Sequence, residues 1–148
     1  MTKALPPKSL VLYADDDTDD IELVRDLFAP YESLVELVTF PDGKALLDYL
    51  HQLPPLQPQP CLVILDVNMP VMDGMQTLKR LRLSDDLAEV PVVLFTTSNL
   101  PNEAAYADRF GAGFITKPVH REQLSQLVDR MLHFCSDAFR KKLGRGRK

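Results

Sequence analysis

Short apolar runs alternate with helical patterns along this chain, and each run stops at polar residues. Leu10-Val11-Leu12-Tyr13-Ala14 ends in Asp15-Asp16-Asp17, and Cys61-Leu62-Val63-Ile64-Leu65 ends in Asp66. Val92-Val93-Leu94-Phe95 ends in Thr96-Thr97-Ser98, and Phe114-Ile115-Thr116 ends in Lys117-Pro118. Runs this short and this uniformly apolar predict strands buried on both faces, the habit of parallel sheets. Between them Ile21, Val24, Leu27 and Phe28 recur at helical spacing, which predicts a helix over 18–28 closed by Pro30. Asp19 with Glu22 three residues on predicts a variant capping box at its start.

The rest of the chain repeats the alternation. Leu34 to Phe40 predicts a second strand, Pro41-Asp42-Gly43 a turn, and Leu46, Leu47, Leu50 and Leu53 a second helix. Pro54, Pro55, Pro58 and Pro60 make an extended connection that no helix crosses. After the loop Asn68 to Gly74, Met75, Leu78 and Leu81 open a third helix, and Pro91 precedes the fourth strand. Asn102 to Phe110 predicts a fourth helix ended by Gly111, and Leu124, Leu127, Val128, Met131 and Cys135 stripe a last one. The sum is an α/β fold, (βα)5, with a doubly wound five-stranded parallel sheet in the order 2-1-3-4-5, given right-handed crossovers. Ligands of such sheets bind at the carboxyl edge where strand order reverses. Here that point lies between the first and third strands, flanked by Asp15, Asp16 and Asp66.

A chain of 148 residues with 45% hydrophobic content suits one domain: an arm over 1–8, a body over 9–135 and a tail over 136–148. No apolar run nears the roughly 20 residues a membrane span needs. The start of the chain has no apolar stretch of the signal-peptide kind. Cys61 and Cys135 each sit in apolar patterns, predicting buried thiols and neither a disulfide nor a zinc site, as in a reducing cytoplasm. Charge is uneven: from Asp137 onward the tail carries +5, leaving −9 on the rest of a chain whose net is −4. Such a tail can meet an anionic partner, but a solvated terminus is the simpler reading.

Carboxylates at neighbouring strand ends repel, by about 4 kcal/mol for two charges 4 Å apart at an effective dielectric near 20. Oxygen donors of this kind select a hard cation, and few carboxylates with room for water suit Mg2+. Lys117 brings a compact positive charge from the opposite strand end, able to pair with Asp66 at rest and with a phosphoryl oxygen later. Thr96 offers a hydroxyl to the same oxygen, and Asp66 is the candidate nucleophile because carboxylates form acyl phosphates. His51, His120 and His133 lie in helical or loop contexts and read as non-catalytic, while Met69, Met72 and Met75 read as packing. Asp17, Asp19 and Asp20 read as a solvated helix start, and Asp73-Gly74 as a turn.

Leu65-Asp66-Val67-Asn68-Met69-Pro70-Val71-Met72-Asp73-Gly74 resembles the phosphoacceptor segment of two-component response-regulator receiver domains. Asp15-Asp16, Thr96 and Lys117-Pro118 match the same family in order and position, over about Ser9 to Phe134. The likeness is to stand-alone, CheY-like regulators with a flavodoxin-like sheet. It implies that Asp66 accepts a phosphoryl group from a sensor histidine kinase or a phosphotransfer protein. It implies Mg2+ ligation by Asp16, Asp66 and the Asn68 backbone carbonyl, with Asp15 acting through water. It implies sensing of the phosphoryl group by Thr96 and Lys117, a cis Lys117–Pro118 bond, and inward packing of the switch aromatic Phe114, which lacks the hydroxyl of the tyrosine common there. The face of the fourth helix, fifth strand and fifth helix would then change, and would meet a downstream protein or a second copy in a homodimer. Asn68 and Ser98 would shape water access to the phosphate.

Three rivals are weighed by residue. A calcium loop needs glycine at the sixth position from Asp15, where Asp20 stands. A haloacid-dehalogenase-type phosphatase needs a spacer that Asp15-Asp16-Asp17-Thr18 lacks. A degenerate docking receiver would lack the acidic set. The expected protein is thus a cytoplasmic phosphoacceptor with self-phosphorylating and autodephosphorylating chemistry, not a dedicated enzyme. It is expected to have no DNA-binding output module. A fragment of a longer regulator and a relay intermediate remain as alternatives.

Overall fold

The computed structural model describes residues 8–53, 59–98, 100–118 and 126–135. Five parallel strands form one sheet: β1 (Ser9–Ala14), β2 (Val35–Phe40), β3 (Leu62–Leu65), β4 (Val92–Thr96) and β5 (Gly113–Thr116). Their order is β2-β1-β3-β4-β5, as the apolar pattern predicts. The helices are α1 (Thr18–Phe28), α2 (Gly43–Gln52), α3 (Gly74–Leu83), α4 (Pro101–Arg109) and α5 (Leu127–His133). All of the predicted arm over 1–8 except Lys8, the prolines 54, 55 and 58, His120, Leu124 and the basic tail lie outside the described residues.

Side chains alternate across the sheet, so each strand feeds two cores. Val11 and Tyr13 of β1 join Val24 and Phe28 of α1 and Leu127, Val128 and Met131 of α5. Leu12 and Ala14 join Leu46 and Leu50 of α2, Leu78 and Leu81 of α3 and Ala107 of α4. The sheet is covered on both faces, which is why its strands carry no polar alternation. The thiols of Cys61 and Cys135 are buried with their sulfurs 3.4 Å apart and unlinked.

Several local expectations change. The cap of α1 is Asp17, whose carboxylate accepts from the backbone N–H groups of Asp19 (2.9 Å) and Asp20 (3.3 Å), so the Asp19–Glu22 box is not used. Asp17 precedes the first helical residue, where a side chain reaches the unpaired N–H groups. Pro30 does not end the chain's winding: Ala29–Tyr31 continues as a 3-10 turn, with Pro30 at a position needing no N–H. Asp73 is a helix cap rather than a simple turn residue, in a capping box with Gln76. Among the described residues no peptide bond is cis, so Lys117–Pro118 is trans, against the expectation. Trans is the intrinsic preference by about 0.5–1 kcal/mol, and Lys117 still enters the strand ladder through its N–H to the Thr96 carbonyl at 2.7 Å.

Arg82, at the end of α3, ties this frame together. Its guanidinium donates to the carbonyls of Phe110 (2.6 Å), Val90 (2.6 Å), Ala88 (3.2 Å) and Gly111 (3.2 Å). One side chain thereby links α3, the segment before β4 and the turn before β5, and its burial pulls its pKa below the ordinary arginine value. Arg82→Ala strips donors from four carbonyls and should cost about 2–4 kcal/mol. Arg82→Lys should recover less than half, since an ammonium lacks the planar fork. Urea denaturation of both variants measures this, and a loss under about 0.5 kcal/mol for Arg82→Ala would contradict it.

Candidate functional site

Parallel strands end on one edge, and their register brings the end residues together. Ala14 pairs with Leu65, which sets Asp15 beside Asp66, and the Asp66 N–H donates to the Ala14 carbonyl at 3.0 Å. Oxygen atoms of Asp15, Asp16 and Asp66 all lie within 4.8 Å of one another. Asp15 is fully buried, Asp66 is 7% exposed and Asp16 faces solvent. Two carboxylates withdrawn from water and a third at the rim are an oxygen-only donor set open to solvent on one side. It fits a hard divalent cation that keeps some of its water.

Lys117 reaches in from β5 with its side chain 8% exposed. Its Nζ lies 2.7 Å from Asp20 Oδ2, 2.9 Å from Asp15 Oδ2 and 3.6 Å from Asp66 Oδ1. The resting lysine is therefore held most closely by Asp20 and Asp15, and the pairing with Asp66 that the sequence predicts is present as a longer third contact. It also stands over the Phe95 ring at 5.5 Å. Burial pulls its pKa down, but the hydrogen bonds to Asp20 and Asp15 and the Asp15 and Asp66 charges outweigh this and leave it raised.

Asp15 accepts three hydrogen bonds from the protein. Its Oδ1 accepts the Asp17 N–H at 2.9 Å, and its Oδ2 accepts both Lys117 and the hydroxyl of Tyr13. Tyr13 is fully buried, and burial first, then the Asp15 charge, push its pKa up. Asp66 is in a different condition. Burial lifts its pKa from 3.8 to about 7, the Asp15 charge adds to the rise, and Lys117 and the Asn68 N–H pull against it. Asn68 thus meets Asp66 through its N–H.

The loop after β3 is shaped for this. A Cβ at Gly74 would fall 2.9 Å from the Asp66 carbonyl carbon and closer still to its oxygen, so only glycine lets α3 start here. Val71, 76% exposed, has φ of 67° at the centre of a three-residue turn closed by Met72 N–H to the Pro70 carbonyl at 2.7 Å. A β-branched residue in that region is strained.

Thr96 is fully buried at the end of β4, its Oγ1 accepting the Ser98 N–H at 3.1 Å. Phe114 is half-buried, pairs with Leu94 in the ladder and packs toward the α2–α4 face. Thr97 is exposed. Asp15, Asp16, Asp66 and Lys117 thus gather at one edge, Thr96 ends β4 on that edge, and Phe114 sits within β5. Tyr13 and Asp20 were missed. Tyr13 carried a signal, being the one hydroxyl in an apolar run and two residues before Asp15 on the same strand face. Asp20 carried none beyond its place in the first turn of α1.

Fold and site together define a class of doubly wound α/β domain with an acidic cluster at the carboxyl edge of its sheet. A family model for the response regulator receiver domain matches residues 11–129. Response regulator Rcp1 of Synechocystis sp. is 30% identical over 133 residues, covering 87% of this chain and 89% of that protein. A phosphorylated cyanobacterial phytochrome response regulator, RcpA, superposes with a TM-score of 0.77 at 27% identity, over 86% of this chain and 94% of that one. A Mn2+-bound form of Rcp1 gives a TM-score of 0.75 at 28% identity, over 86% and 94%. The chain belongs to the response regulator receiver domain family of two-component signalling.

The raised pKa of Asp66 has a consequence for stability. Between its ordinary value of 3.8 and about 7 the fold holds a proton that the unfolded chain has lost. Stability therefore falls as pH rises through that window and levels off above it. In metal-free buffer, Asp66→Asn should raise Tm by about 4 °C or more near pH 8 and leave it close to wild type near pH 4.5. Calorimetry at the two pH values checks this, and an equal shift at both would contradict it.

Proposed function

We propose that this protein is a phosphoryl acceptor that takes a phosphoryl group onto Asp66 from a phosphohistidine of a sensor kinase or phosphotransfer protein, with Mg2+ as the cation. The observation that carries this reading is the placement of Asp66: a nearly buried carboxylate with two further carboxylates and one ammonium converging on it. Such crowding is costly unless the charges serve a cation and an incoming anion.

A carboxylate oxygen of Asp66 bonds to phosphorus as the P–N bond of the phosphohistidine breaks. The bonding pair leaves with the imidazole, which takes up a proton. Asp16 and Asp66, with Asp15 through water and the Asn68 carbonyl, would hold the cation, which when bound offsets charge on the phosphoryl oxygens. Lys117 supplies a mobile charge to the product, and Thr96 supplies a hydroxyl from the buried end of β4.

A phosphoryl group adds nearly two negative charges and new acceptor oxygens, enough to draw Thr96 and Lys117 toward it. Phe114 shares the sheet face of Thr96 and follows it inward. Phe114 also lines a groove with Arg130, His133 and Phe134 of the β5–α5 face, so its movement alters a surface for a downstream protein or a second copy. The protein signals by this change rather than by turning over a substrate. Two unlinked thiols 3.4 Å apart suit a reducing cytoplasm.

Incubation with Mg2+ and acetyl phosphate tests the assignment by intact mass. Wild type should gain one phosphoryl group, Asp66→Asn none, and retention of the adduct by Asp66→Asn would remove the assignment. Lys117→Ala should still take up phosphate, at a rate lowered roughly tenfold or more, but should lose the accompanying shift of Phe114 signals in NMR spectra.

A further inference from the structure

Tyr13 is a polar residue in the middle of an apolar core. It belongs to the core cluster of Val11, Ile64, Val93, Phe95 and Ile115, and its ring centroid is 6.3 Å from that of Phe95. A buried phenol needs an acceptor, and the period of the strand points Tyr13 and Asp15 to the same face. The hydroxyl donates to Asp15 Oδ2, the oxygen that also accepts Lys117 at 2.9 Å.

The two donors differ in one respect. Lys117 sits on a flexible stem and has work elsewhere, at the phosphoryl oxygens on Asp66. The phenol is fixed by its packed ring and is neutral. If Lys117 were the only donor to that oxygen, its departure would strand a fully buried carboxylate oxygen, and the ammonium would stay put. We propose that Tyr13 is a positioning residue of this site, holding Asp15 Oδ2 so that Lys117 can leave it for the phosphoryl group on Asp66. The inference rests on Asp66 being the acceptor, and it concerns what releases the lysine.

Tyr13→Phe removes one oxygen and keeps the ring. Two measurements on the full chain read the result. The first is beryllofluoride affinity in Mg2+, with the beryllium adduct as phosphoryl mimic: Tyr13→Phe should bind about fivefold more weakly. The second is acylation of Lys117 Nζ by acetic anhydride in metal-free buffer, scored by peptide mass spectrometry against the exposed Lys44. Lys117 should react about threefold more slowly in Tyr13→Phe, because it is then the one described donor left on Asp15 Oδ2, while Lys44 is unchanged. A merely structural role would loosen the core and speed Lys117 labelling. Unchanged affinity, or unchanged or faster labelling, overturns the inference. Failure of wild type itself to take beryllofluoride overturns the acceptor reading beneath it.

Discussion

The site is governed by charge crowding. Asp15, Asp20 and Asp66 converge on a single ammonium, with Asp16 at the rim. With one cation against four carboxylates, the site remains short of positive charge. Burial first, and the Asp15 charge after it, raise the pKa of Asp66, and protonation is the simplest relief available to a buried acid. A hard divalent cation, which the Asp15, Asp16 and Asp66 oxygens fit, would relieve the same crowding.

The sheet divides the candidate site residues between its two faces. Tyr13, Phe95 and Lys117 lie on the α1–α5 side, where Asp20 of α1 completes the hold on the lysine. Thr96 and Phe114 lie on the opposite side, toward α4. Asp66, at the end of β3, is in reach of Lys117. Alternation along a strand makes this separation automatic.

Precision at the edge depends on parts that never touch the chemistry. Gly74 lets the start of α3 lie against the Asp66 carbonyl. Asp17 and Asp73 cap α1 and α3, setting the first turns that carry Asp20 and border the acceptor loop. Arg82 secures the segments before β4 and before β5 by carbonyl contacts. Strain at Val71 is tolerated in the same loop because the surrounding hydrogen bonds determine its path.

The apolar runs determined the strands and, with right-handed crossovers, the order of the sheet. Asp15, Asp66, Thr96 and Lys117 were legible as site residues because parallel strands must end on one edge. Tertiary structure alone decided who holds Lys117. Asp15 and Asp20 are 102 and 97 residues away from it in the chain, and no local pattern encodes an approach of 2.7 Å between a helix turn and a strand end. The trans Lys117–Pro118 bond, the four-carbonyl role of Arg82 and the short approach at Gly74 were hidden for the same reason. Periodicity reports which face a side chain takes, whereas partner choice follows from the distances set when separate elements pack.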